Sequence, residues 1–60
     1  MSNLTQMEIN AIRECVSTNI TISSKLSSYA NKASEPELKE MFKSSGVKAE
    51  QYAQKLLHLL

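Results

Sequence analysis

One break organises this 60-residue chain. Ser34-Glu35-Pro36-Glu37 holds its only proline. Proline suits a first helical turn and disfavours helix at the residue before it. On either side, apolar residues recur at helical spacing. Ile9, Ile12, Val16, Leu26, Ala30 and Ala33 precede the break, and Asn19 and Ser23 complete the 3-4-3-4 series. Leu38, Phe42, Ser45, Ala49, Tyr52, Leu56 and Leu59 follow it as 4-3-4-3-4-3. A connection this short between two helices of similar length predicts an antiparallel hairpin. The fold class is therefore all-α.

The boundaries are also legible. Thr5 and Glu8 have the spacing of a capping box, and Leu4 and Ile9 that of a hydrophobic staple. One helix is expected over residues 6–33, a turn at 34–35, and a second helix over 36–58, within a single domain spanning 1–60. Ser34 and Glu37 repeat the capping-box spacing, and Glu35 with Lys39 is an i,i+4 pair of the favoured orientation. Counting outward from the turn pairs Leu26 with Phe42, Ser23 with Ser45, Asn19 with Ala49 and Val16 with Tyr52. Large apolar layers would then close both ends around a polar belt of Asn19, Ser23 and Ser45. Ser17 to Ser24 are modest helix formers, so packing has to hold that stretch. Gly46 marks either a kink or a close approach of backbones.

A chain of 6.7 kDa buries only about 60% of its unfolded surface and is marginal alone. More apolar area stands beside the seam. Cys15, Ile22 and Tyr29 follow one another at seven-residue spacing, and Met41, Ala53, Leu57 and Leu60 lie on the second helix. These residues are the expected dimer interface. Two copies related by a twofold axis would complete a four-helix bundle. Cys15, beside Val16, is expected as a packed, inert thiol; an intermolecular disulfide is the alternative.

Composition narrows function. Seven basic against six acidic residues give a charge of +1, without the field that nucleic acid or an anionic membrane would select. No apolar run approaches the ~20 residues of a membrane helix. Met1-Ser2-Asn3-Leu4-Thr5 lacks the basic-then-apolar pattern of a signal peptide, and with a single cysteine this predicts a cytoplasmic setting. There is one histidine and no aspartate. Cys15 and His58 are the only Cys/His pairing, with no third orienting group, so no enzyme and no cofactor are expected. Gln54 and Lys55 precede His58 where a helical metal-ligand partner would stand.

Leu4-Thr5-Gln6-Met7-Glu8-Ile9-Asn10-Ala11-Ile12-Arg13 and the stretch from Tyr29 to Lys39 resemble the short clostridial relatives of the spore coat protein F family. That resemblance implies half of a ferritin-like four-helix bundle, a non-enzymatic role in a sporulating bacterium, and association with the spore coat or other coat proteins. Ferritin-like metal ligands do not carry over. The corresponding positions hold Asn19, Ala49 and Tyr52, a poor set for iron or manganese. The competing expectation is a small regulatory hairpin that docks on a partner protein through Ile20, or through Met41 beside Tyr29.

Overall fold

The computed structural model describes residues 3–60. Met1 and Ser2, where the segment read for a signal peptide begins, lie outside the described residues. Helix α1 (Gln6–Lys32) and helix α2 (Pro36–Leu57) pack against each other as a hairpin of 46 × 13 × 10 Å. Ala33 and His58, expected as the last helical residues, serve instead as C-caps.

α1 starts on the expected capping box. Thr5 Oγ1 accepts from the Glu8 amide at 3.1 Å, and the Thr5 amide donates to Glu8 Oε1 at 2.9 Å. The Thr5 backbone N–H, and then its hydroxyl, hold the Glu8 carboxyl below its ordinary value. A lowered carboxyl stabilises the fold above the ordinary carboxylate range, and the contribution is lost as pH falls through the lowered value.

The turn differs from expectation in two contacts. Glu35, rather than Ser34, is the N-cap of α2, its carboxylate accepting from the Leu38 amide at 2.6 Å. Pro36 occupies the first turn and keeps Glu35 extended, the backbone state an N-cap needs. Lys39 makes a longer-range contact than the expected pair with Glu35. Its Nζ donates to the Ala30 carbonyl at 2.7 Å. That oxygen belongs to the last turn of α1, where carbonyls lack helical partners.

The seam of α1 follows the expected stripe. Ile12, Val16 and Ala30 are buried, and Ile9, Asn19, Ser23, Leu26 and Ala33 are half-buried. The seam of α2 is rotated by part of a turn. Phe42, Ala49 and Leu56 stay in it, but Lys39, Gly46 and Ala53 replace Leu38, Ser45 and Tyr52. Leu59, expected beside Ile9, is exposed as well. Small side chains explain the rotation, because they let the helix axes approach. A Cβ built on Gly46 would lie 3.4 Å from both Leu26 Cβ and the Ser23 carbonyl. Gly46 is thus a close approach within an uninterrupted helix, not a kink. Tyr52, 53% exposed, could not take the place of Ala53, which is 2% exposed.

Two clusters hold the ends. Far from the turn, Ile12, Val16 and Ala53 form a core supported by Leu4 and Leu56, so Val16 meets Ala53 rather than Tyr52. Near the turn the rings of Tyr29 and Phe42 sit 5.7 Å apart at 55°. The polar belt is one-sided. Asn19 and Ser23 are half-buried on α1, while Ser45 is exposed and Gly46 faces Ser23. Asn19 Nδ2 donates to the Cys15 carbonyl on its own helix at 2.8 Å.

Candidate functional site

With the seam fixed, helical periodicity assigns every other side chain to one of two flanks. Grooves mark the first. An open groove of about 610 Å³ is lined by Ser24, Ser27, Glu50, Gln54, Ile20 and Leu57. A second of about 340 Å³ continues it through Arg13, Ser17, Ile20, Leu57 and Leu60. Hydroxyls, amides and charged groups dominate this side, and Ile20, Leu57 and Leu60 are its apolar members.

The opposite flank has another chemistry. The residue just before each seam position falls there, which on α1 includes Ala11, Cys15, Thr18, Ile22, Lys25 and Tyr29. The same reasoning places Leu38, Met41, Ser45, Lys48 and Tyr52 there on α2, with Leu59 seven residues further on. Apart from Lys25 and Lys48, none of these carries a charge. Tyr29, Leu38, Tyr52 and Ile22 are all exposed, and Met41 is 59% exposed. Further charges line the flank's outer rim, with Glu14 and Lys32 on α1 and Glu37 and Lys55 on α2.

The residues expected at a dimer interface therefore separate. Cys15, Ile22, Tyr29 and Met41 share the more apolar flank. Leu57 and Leu60 belong to the grooved flank. Ala53 lies in the seam and is covered by α1, because the rotation of α2 turns it inward. Cys15 is exposed rather than packed, since one residue before Val16 is about 100° around the helix. Leu38, Tyr52 and Leu59 are the members that sequence reasoning assigned to the seam. Their signal was the choice between two adjacent stripes on α2, one of large residues and one of small.

Chemistry elsewhere is sparse. Among the described residues, no group of three or more His, Cys, Asp or Glu side chains could hold a metal ion. Asn19, Ala49 and Tyr52 do not converge, since Tyr52 faces outward. No helix among the described residues is long and apolar enough to cross a membrane. No protein-family model, curated protein or solved structure matches this chain.

Proposed function

We propose that the protein is a non-enzymatic, self-associating helical hairpin that works as half of a four-helix bundle. One observation carries this reading: the hairpin fully buries only Ile12, Val16 and small residues, and leaves many of its large apolar residues exposed. Ile12 and Val16, each 8% exposed, are the largest buried side chains among the described residues, while Met41, Tyr29, Tyr52, Leu38 and Leu59 face solvent. A monomeric core is built the other way round.

The surface area agrees. The chain exposes 4724 Å². A compact monomer of this mass exposes about 3,900 Å². The excess of about 800 Å² equals one partner's share of a standard protein interface. The radius of gyration, 14.2 Å, makes the same point. A compact domain of this length has about 10 Å, and one of twice the length about 14 Å.

Sedimentation equilibrium should return twice the 6.7 kDa chain mass at micromolar concentration. The thermal midpoint should also rise with protein concentration, as linked association requires. A folded monomer with a concentration-independent midpoint would rule the reading out. In that case the more apolar flank belongs to a different protein, and the regulatory hairpin becomes the better description.

The setting we propose is the spore coat, supported by the sequence resemblance of the first helix and the turn. Recovery of the protein in the insoluble fraction of purified spores is the expected result. Confinement to the soluble mother-cell extract would remove the coat from the proposal.

A further inference from the structure

Two stretches of the chain repeat one another. Lys25 to Lys32 and Lys48 to Lys55 both read lysine, three further residues, tyrosine, alanine, an amide residue and lysine. The alanines of the two stretches, Ala30 and Ala53, are each 2% exposed in the seam. That shared burial gives both stretches the same phase, and in antiparallel helices an equal phase turns Tyr29 and Tyr52 to the same flank. Lys25 and Lys32 run along the outer edge of this flank on α1, Lys48 and Lys55 along its outer edge on α2, and all four are exposed. Gly46 lies against Ser23, which brings Lys25 and Lys48 within about one helical turn of the same level.

The more apolar flank is therefore a strip bordered on both sides by lysine. Ile22, Tyr29, Leu38, Met41 and Tyr52 are the exposed apolar members of the strip. The net charge of +1 conceals this arrangement. Among the six acidic residues, Glu8 and Glu35 are engaged in helix caps. Glu40 and Glu50 belong to the other side of α2, and Glu14 and Glu37 reach only the ends of the rim.

We propose that this flank docks an amphipathic helix of another protein, its apolar stripe laid between α1 and α2 and its two edges acidic. The period of the flank argues for a helix. Ile22 and Tyr29, Ser45 and Tyr52, Lys25 and Lys32, and Lys48 and Lys55 are all seven residues apart, a repeat of about 10.5 Å. A helix with a seven-residue repeat presents apolar and flanking acidic groups at that same interval. A second copy of the chain does not match, because no two of its acidic residues are seven apart. Pairing the flank with itself would also gather the lysines of both copies around its middle. Nucleic acid offers no aliphatic stripe for Ile22, Leu38 and Met41, and a lipid surface selects a larger net charge. The inference goes beyond self-association, for which the grooved flank remains, with Arg13 and Lys43 offset by Glu40 and Glu50.

The test uses the full chain and a fluorescent synthetic helix of three heptads, leucine at a and d and glutamate at e and g. Fluorescence anisotropy should show binding of this peptide and none of its counterpart with lysine at e and g. Lys25→Glu combined with Lys48→Glu should weaken binding by about tenfold or more. Arg13→Glu combined with Lys43→Glu makes the same change in net charge on the grooved flank, and should alter affinity by less than about a factor of two. All four positions are exposed, and circular dichroism checks that the variants fold. In the parent chain, which needs no substitution, the acidic peptide should shift the NMR signals of Ile22 and leave those of Ile20 in place. Equal losses in the two charge-reversal pairs, or equal binding of the lysine peptide, would overturn the proposal. So would binding confined to phosphatidylserine vesicles or to a single-stranded oligonucleotide. A protein of dimer mass that ignores the acidic peptide overturns the docking site and leaves self-association standing.

Discussion

Gly46→Leu is expected to leave most of the protein unfolded, whereas Gly46→Ala should fold and be slightly more stable than the parent. The two substitutions test one contact at two depths. A Cβ at Gly46 would sit 3.4 Å from Leu26 Cβ and the Ser23 carbonyl, and 3.8 Å from the Ser27 amide nitrogen. Those are ordinary contact distances, so alanine keeps the packing and removes a glycine penalty of about 1 kcal/mol. Leucine adds three carbons beyond Cβ, toward backbone atoms of α1 that cannot swing aside. Overpacking of this kind costs about 1–3 kcal/mol, more where the obstruction is backbone. Folded chains of this size have about 3–9 kcal/mol in total, so the loss is severe. Urea denaturation followed by circular dichroism reads both outcomes. If Gly46→Leu were as stable as the parent, the close approach of the helices at Ser23 would be wrong.

The second large effect is expected at the end far from the turn. Ile12 packs with Val16 and Ala53, and Leu4 and Leu56 cover the cluster. Ile12→Ala removes the branched chain from a site that cannot easily collapse, because its neighbour across the seam is already an alanine. The expected loss is about 2–4 kcal/mol, seen as a lower urea midpoint at matched protein concentration. Met7→Ala, at a position 78% exposed, should change stability by less than about 0.5 kcal/mol. Equal effects at the two positions would mean that the distal cluster is not what closes this end.

Most of the hairpin can be read without coordinates, for identifiable reasons. The α1 stripe alternates three and four residues from Ile9 to Ala33 without a slip, which sets its phase. Thr5 and Glu8 fix its start through local bonds that depend on nothing distant. α2 offers two neighbouring stripes. Leu38, Ser45, Tyr52 and Leu59 form one, and Lys39, Gly46, Ala53 and Leu60 form the other. Hydrophobicity favours the first, whereas backbone approach selects the second. Gly46 already hinted at that approach, but deciding it required knowing how near α1 comes. The turn contact is hidden for a similar reason: the bond from Lys39 to the Ala30 carbonyl exists only once the helices are side by side. The flank of Cys15, Ile22, Tyr29 and Met41 was visible as a seven-residue pattern. Ala53 was placed with it because the phase of α2 was still open.

Pro36 has one more effect, on which fold the chain avoids. Paired amphipathic helices joined by a short link can open into one long rod and exchange helices with a neighbour, a common route to swapped dimers and chains of molecules. A rod would need helical backbone at Glu35, which the following proline disfavours. It would also lose an amide donor at Pro36 and crowd the proline ring against the carbonyl four residues earlier. Among the described residues the link needs no glycine and no left-handed backbone, with Ala33 and Glu35 both in ordinary extended conformations. The bend is therefore easy to make and hard to straighten, and the chain meets its copies as a closed hairpin.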